Sequence, residues 1–105
     1  MTRLLQRLGF DARGVSTVRE AMTVIEAWRP YAVVLDLVLP DDNGAAVLHA
    51  VRERGLPIKV AIVSGLPDLD HHPDIQRLKP DIVFVKPIDI FSLAGWLGPA
   101  HRLQP

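Results

Sequence analysis

A chain of 105 residues, 49% of them hydrophobic, is long enough for one folded domain and too apolar for a disordered segment. Its 12 basic and 12 acidic residues cancel, so we expect no direct binding to nucleic acid or to an anionic membrane. The absence of cysteine excludes disulfides and thiolate metal sites. No apolar run is long enough to cross a bilayer and we find no secretory signal, so we expect a cytoplasmic location.

The first third of the sequence predicts a helix, a strand and a second helix. The segment Leu4–Leu8 has the pattern of a short amphipathic helix, and Ala12–Val15 that of a weak strand. Thr17 and Glu20 form a capping-box pattern that opens the second helix, and Pro30 ends it. The apolar stripe of this helix recurs every three or four residues, at Val18, Ala21, Met22, Ile25 and Trp28.

The rest of the chain alternates strands and helices, and its apolar runs are typical of strands buried on both faces. In chain order we predict a strand at Tyr31–Asp36, a helix carrying Val47, Ala50 and Val51, a strand at Ile58–Ser64, a short helix at Asp74–Leu78, a strand at Ile82–Val85 and a last helix at Ile90–Leu97 capped by Asp89. Residues 99–105 are expected to form a flexible tail. Single helices between strands predict one α/β domain with a parallel sheet of about four strands and right-handed crossovers.

Three polar residues stand directly after these buried runs: Asp36, Ser64 and Lys86. The carboxyl ends of parallel strands meet at one edge of the sheet, where open α/β folds bind their ligands. A carboxylate, a hydroxyl and an ammonium at that edge suit a phosphoryl group accepted as an acyl phosphate, with the lysine and the serine binding its oxygens.

Each of these residues has a simpler interpretation when it is taken alone. An aspartate such as Asp36 is as typical of a turn or a helix cap as of a reactive site, and Lys86 is typical of a solvated strand end. Ser64 fits a turn or a hydrolase nucleophile, although Ile62 stands where the hydrolase elbow needs glycine and no triad order is evident. The presence of all three at matching strand ends favours phosphoryl chemistry.

With these residues in this order, the chain resembles the response-regulator receiver domain of two-component signalling. The resemblance extends from the first helix to the last and rests on three stretches, Val33–Gly44, Ala61–Gly65 and Val83–Pro87. It implies a flavodoxin-like three-layer α/β sandwich whose first strand is missing. It also implies a phosphorylatable switch rather than an enzyme, acting at most on its own phosphorylation and dephosphorylation.

The resemblance further implies roles for particular residues. Asp36 would accept phosphate from a histidine kinase or a phosphotransfer protein. Lys86 would bind the phosphoryl oxygens, and Ser64 would be the switch hydroxyl that moves onto the phosphorylated aspartate. Asp36 and the backbone carbonyl of Val38 would be ligands of Mg²⁺. Output would pass through a downstream protein partner.

Two features depart from the family pattern. The family's first strand ends in a pair of acids that hold magnesium, and these acids are absent here, so we expect weak Mg²⁺ binding. Asp41 and Asp42 in the adjacent loop are more simply explained as helix caps. The switch region of Ser64, Val83 and Phe84 carries its aromatic ring one place after the usual position, which alters the aromatic switch.

The missing strand leaves several interpretations open. In the first, the remaining strands pair with one another in sequence order. In the second, a second copy fills the gap as a homodimer or by a strand swap, and in the third the natural protein is longer than this chain. The alternative function is that of a pseudo-receiver or truncated receiver, a protein-interaction module that needs no phosphorylation. The four histidines show no metal-type spacing: His49, His71, His72 and His101.

Overall fold

The computed structural model describes residues 1–37 and 44–98. The chain divides into two compact units, which we call the sheet unit, Ser16–Pro87, and the terminal unit, Met1–Val15 with Ile88–Pro105. The three strands belong to the sheet unit, and the first and last helices belong to the terminal unit. In the described ranges, no helix is both long and apolar enough to span a membrane.

From residue 18 onward, the described elements follow the predicted alternation of helices and strands. They are α1 (Thr2–Arg7), α2 (Val18–Trp28), β1 (Ala32–Asp36), α3 (Ala45–Glu53), β2 (Lys59–Ser64), a 3₁₀ turn (Leu69–His71), α4 (Pro73–Leu78), β3 (Ile82–Val85) and α5 (Ile90–Leu97). The strands form one parallel sheet in the order β1-β2-β3. The predicted parallel α/β architecture is therefore confirmed.

The predicted strand at Ala12–Val15 is wrong, because these residues have no strand structure. The carbonyl of Ala12 instead accepts a hydrogen bond from the side-chain amide of Gln6 at 2.9 Å. Gly14 lies so close to Thr2 that a Cβ at this position would come within 2.8 Å of the threonine hydroxyl oxygen. A strand needs a neighbour that pairs with its backbone groups, and this segment makes local contacts instead. The described residues thus hold three strands rather than about four.

Short-range signals set the predicted helix starts. The Thr17 hydroxyl accepts a hydrogen bond from the Glu20 N–H at 3.1 Å and donates to the Glu20 carboxylate at 3.0 Å, which confirms the capping pattern at α2. Asp89 caps α5 as predicted, since its carboxylate accepts from the N–H of Phe91 at 2.9 Å. At the other end of α2, Arg29 has a left-handed φ of 54° that stops the helix.

The central strand β2 organises the core of the sheet unit. Its residues 60–64 are all buried, and it pairs with both neighbours, Val33 lying opposite Val60 and Val83 opposite Ile62. The core contains residues of α2, β1, α3, β2, the 3₁₀ turn and α4: Ile25, Leu35, Leu37, Val47, Leu48, Val51, Ile58, Val60, Ile62, Leu69 and Ile75. Burial of this apolar set holds these elements together.

The terminal unit is built from both ends of the described chain. Within it, α1 packs against α5. Among its described residues, the buried apolar side chains are Leu5, Leu93 and Leu97. Phe91, in the first turn of α5, is 71% exposed, so this helix presents an aromatic ring to solvent.

A polar clamp joins the elements of the sheet unit at the amino edge of the sheet. Arg52 of α3 donates to the Asp81 carboxylate at 2.8 Å, to the Lys79 carbonyl at 3.0 Å and to the Ile58 carbonyl at 3.3 Å. The same Asp81 oxygen accepts from the N–H of Val60 at 2.7 Å. One arginine and one carboxylate thus connect α3, β2, the end of α4 and the start of β3.

The clamp shifts the titration of its carboxylate. Burial, the largest single influence, raises the pKa of Asp81. The hydrogen bonds from Val60 and Arg52 and the charges of Arg52 and Lys59 lower it, and the net pKa of Asp81 is below its usual value. Because this pKa is lower in the folded chain than in the unfolded chain, the ionised carboxylate stabilises the fold at pH values above the pKa of the unfolded chain. The stabilisation is lost as the pH falls through the pKa of the folded chain.

We expect the substitution Asp81→Asn to lower the free energy of unfolding at neutral pH by about 1 kcal/mol, because charge-assisted hydrogen bonds are lost. The difference from the wild type should shrink as the pH falls below about 3.9, the ordinary value for aspartate, because Asp81 then gains a proton in the unfolded chain while it stays ionised in the folded one. The difference should disappear once the pH falls through the lower pKa of the folded chain. Urea unfolding of both proteins at neutral pH and at a series of pH values below about 3.9 measures both effects.

The matched control is Glu26→Gln, which removes the exposed ion pair that Glu26 makes with Arg54 at 2.5 Å. We expect this substitution to cost less than about 0.5 kcal/mol. Equal losses in the two variants would show that the clamp contributes no more than a surface pair.

Candidate functional site

The alternation of side chains at the end of β1 turns Asp36 outward. Leu35 and Leu37 on either side of it are buried in the core, so the side chain between them points to the other face. The N–H of Leu37 donates to the Val63 carbonyl at 2.9 Å, which keeps the chain on β2 just past the strand. The Asp36 side chain is 60% exposed and is open to a reacting partner.

Lys86 reaches the same edge of the sheet from β3. Its N–H donates to the Ser64 carbonyl at 2.8 Å, directly after the pairing of Val85 with Ser64. Its Nζ lies 2.9 Å from one carboxylate oxygen of Asp36 and 3.0 Å from the other. Because β1 and β3 flank β2, this ion pair bridges the two outer strands at the end of the central one.

The Asp36–Lys86 pair is suited to chemistry more than to stability. Both side chains are about half exposed, and ion pairs in such surroundings contribute only about 0–1 kcal/mol to folding. The arrangement places an accessible carboxylate beside a compact positive charge. The Lys86 ammonium can contact the carboxylate oxygens of Asp36. It can also contact the negatively charged oxygens of a group that is transferred to that carboxylate.

Ser64 lies at the expected strand end, but its hydroxyl contacts the following loop. The side chain is fully buried, and its Oγ accepts a hydrogen bond from the N–H of Leu66 at 3.1 Å. Within the described ranges, the hydroxyl makes no hydrogen bond to Asp36 or Lys86. The structure therefore brings the acid and the ammonium together and holds the hydroxyl on the loop.

The two strand residues of the predicted switch region lie on opposite faces of β3, because neighbouring side chains in a strand alternate. Val83 packs against the core of the sheet unit. Phe84 is partly buried and points to the other face. An aromatic ring at position 84 thus lies on the opposite face of the sheet from a ring at position 83. Val38, Asp41 and Asp42 lie outside the described residues.

The described residues do not form a magnesium site at Asp36. Mg²⁺ prefers several oxygen ligands, and Asp36 supplies one carboxylate whose two oxygens already contact Lys86. In the described ranges, the one cluster of three side chains able to ligate a metal is Asp68, Asp70 and His71, which is exposed and excludes Asp36. The 3₁₀ turn brings these three together, a proximity that their spacing in the sequence did not predict. Exposed clusters of this kind are common without a metal, and we assign no ion to it.

The chain matches the family model of the response regulator receiver domain over residues 1–95, and it therefore belongs to this family. The predicted family and the flavodoxin-like α/β fold are confirmed. Receiver domains are the phosphoacceptor domains of two-component response regulators and act with histidine kinases or phosphotransfer proteins. They are signalling domains rather than classical enzymes.

Characterised relatives are longer proteins. The regulatory protein LuxO of Vibrio cholerae is 29% identical over 98 residues, which cover 93% of this chain and 22% of LuxO. The DNA-binding response regulator MtrA of Mycobacterium leprae is 33% identical over 86 residues, which cover 76% of this chain and 38% of MtrA. The chain thus spans less than two fifths of either relative.

Solved receiver domains share the fold. The receiver domain of a LuxO repressor from Vibrio parahaemolyticus superposes with a TM-score of 0.75 at 27% identity, covering 96% of this chain and 77% of that one. A CheY-like receiver domain from Methylobacillus flagellatus gives 0.69 at 35% identity, covering 91% of this chain and 81% of that one.

We expect Lys86→Met to change the free energy of unfolding by less than about 1 kcal/mol, because the ion pair is exposed and methionine keeps the apolar stem. Urea unfolding at neutral pH measures this change. A loss of several kcal/mol would mean that the pair is a structural element of the sheet rather than a reactive site.

Proposed function

We propose that Asp36 is the phosphoacceptor of this receiver domain, with Lys86 as the residue that binds the phosphoryl oxygens. The observation that carries the proposal is the exposed Asp36 carboxylate, with Lys86 Nζ within 3.0 Å of both oxygens. The donor would be the phosphohistidine of a histidine kinase or a phosphotransfer protein.

The chemical step needs little from the protein beyond position and charge. An oxygen of Asp36 attacks the phosphorus, the bond from phosphorus to the donor imidazole breaks, and an acyl phosphate forms. The imidazole leaves with its electron pair and takes up a proton. The carboxylate loses its charge as the phosphoryl group arrives, so Lys86 transfers its contact to the phosphoryl oxygens.

In this proposal Ser64 is the residue that reports the phosphorylated state. Its hydroxyl would leave the Leu66 N–H and donate to a phosphoryl oxygen. Leu66 packs against the core of the sheet unit, so its movement would reach the 3₁₀ turn that follows. The switch region of Ser64, Val83 and Phe84 would then present a changed surface to a downstream protein partner.

We infer weak magnesium binding, through Asp36 and the carbonyl of Val38, with Lys86 providing the main countercharge. We also place the protein in the cytoplasm, where kinase and phosphotransfer partners are found. The family match over residues 1–95 includes parts of both units, which supports one receiver domain rather than two domains.

The second candidate function is that of an interaction module that is not phosphorylated. The close contact of Lys86 with both oxygens of Asp36 favours it, because a stable pair competes with an incoming donor. The half exposure of both side chains favours the phosphoacceptor, since neither is locked in place by packing.

Incubation with acetyl phosphate should add one phosphoryl group to the chain, detected as an intact-mass shift that hydroxylamine removes. Asp36→Asn should abolish the adduct, because an amide oxygen does not form the acyl phosphate. The experiment is run with and without Mg²⁺. A weakly bound metal would stimulate the reaction only at millimolar concentration or above.

Asp11→Asn is the matched control, since Asp11 is also an exposed aspartate of the described chain. It should keep the adduct. A folded sample that gains no adduct with any Mg²⁺ concentration would support the interaction module. An adduct that survives in the Asp36→Asn variant would place the acceptor elsewhere.

Lys86→Met should slow formation of the adduct at least about tenfold, because a phosphoryl contact worth about 1.4 kcal/mol or more is lost. Initial rates of adduct formation measure this effect. An unchanged rate in a folded variant would exclude Lys86 from phosphoryl binding.

A further inference from the structure

Helix α4 begins after His72, which accepts hydrogen bonds from its first turn through both the ring and the backbone carbonyl. Pro73 occupies the first helical position and has no N–H, so Asp74 supplies the first amide. Nδ1 of His72 accepts a hydrogen bond from this amide at 3.2 Å. The next two amides, of Ile75 and Gln76, donate to the backbone carbonyl of His72 at 3.0 and 2.9 Å. His72 thus provides the acceptors for all three amides of the first turn.

A histidine cap differs from the usual caps in its response to pH. The oxygen acceptors of Ser, Thr and Asn stay unprotonated in water, whereas a ring nitrogen accepts a hydrogen bond only while it carries no proton. The contact at Nδ1 therefore requires the neutral ring with its proton on Nε2. Histidine side chains ordinarily change protonation between pH 5 and 8.

The charged groups around His72 offer the protonated ring a different partner. A carboxylate oxygen of Asp74 lies 3.9 Å from Nδ1, while the other oxygen of that carboxylate binds Arg77. The neighbouring 3₁₀ turn contributes Asp70 and His71, and a carboxylate oxygen of Asp70 lies 3.8 Å from Nε2 of His71. The positive end of the helix dipole repels a cationic ring at this position. A protonated ring would therefore lose the Asp74 amide as a partner and find the Asp74 carboxylate next to it.

The other end of α4 is held by a contact that does not titrate in this range. Helix α3 also packs against α4, and there Arg52 donates to the carbonyl of Lys79 at 3.0 Å. Arg52 remains charged at every relevant pH, and the pKa of its partner Asp81 is below the usual value. Mild acid therefore acts on the start of α4 and spares its end.

We propose that His72 is a pH-sensitive cap of α4, closed on the Asp74 amide when neutral and released to the Asp74 carboxylate when protonated. Ile75 in the first turn is fully buried in the core of the sheet unit, so release loosens a turn that remains attached. The segment between Ser64 and α4 is thereby coupled to pH. The proposal does not depend on phosphorylation of Asp36.

A ¹⁵N NMR titration of the full chain between pH 5 and 8 tests this directly. The neutral His72 ring should show the Nε2–H tautomer. The Asp74 amide signal should move with the same midpoint as the His72 ring. Protection of the Ile75 and Gln76 amides from hydrogen exchange should fall about fivefold on protonation, the factor expected for loss of one cap.

His72→Asn keeps a capping oxygen and should remove the titration of the Asp74 amide. The matched control His71→Asn, which changes the neighbouring exposed histidine, should retain it. A neutral ring with its proton on Nδ1, an Asp74 amide that does not titrate, or a titration that persists in His72→Asn would each overturn the proposal. The tautomer is read in the wild-type chain, so the test stands even if a variant does not fold.

Discussion

The parallel pairing of β2 with both of its neighbours is the constraint on which the site depends. This strand is buried from Val60 to Ser64, and its ladder fixes where β1 and β3 end. Because parallel strands end at the same edge, the residues that follow the two outer strands lie on either side of β2. Asp36 and Lys86 meet there although 50 residues separate them in the chain. Their own attraction is too weak to create this geometry.

The two edges of the sheet use polar groups in different ways. At the amino edge, Arg52 and Asp81 bind backbone groups of several elements and satisfy one another, which is typical of a structural role. At the carboxyl edge, Asp36 and Lys86 contact one another through side chains that remain half exposed. The fold thus fixes its polar groups at one edge and leaves them accessible to solvent at the other.

The Ser64 hydroxyl makes its hydrogen bond away from the Asp36–Lys86 pair. Lys86 neutralises Asp36, while Ser64 is buried and bound to the Leu66 amide. A receiver domain needs two arrangements of such groups, and a ligand shifts between them only through contacts that differ in the two states. Here the contacts that would change are the Lys86 pair and the Ser64–Leu66 hydrogen bond.

The sequence by itself determined the strands at Ala32–Asp36, Lys59–Ser64 and Ile82–Val85, the caps at Thr17 and Asp89, and the family, because apolar runs, capping residues and motifs are read from neighbouring positions in the chain. It also predicted that Asp36 and Lys86 converge, since strand direction alone sets that edge. Only the tertiary structure decided that Ala12–Val15 is not a strand, because a strand exists through its partner. The same holds for the bond of the buried Ser64 hydroxyl, for the clamp at the amino edge and for the histidine cap of α4, since side-chain hydrogen bonds depend on which groups the packed chain brings within 3 Å or so of each other.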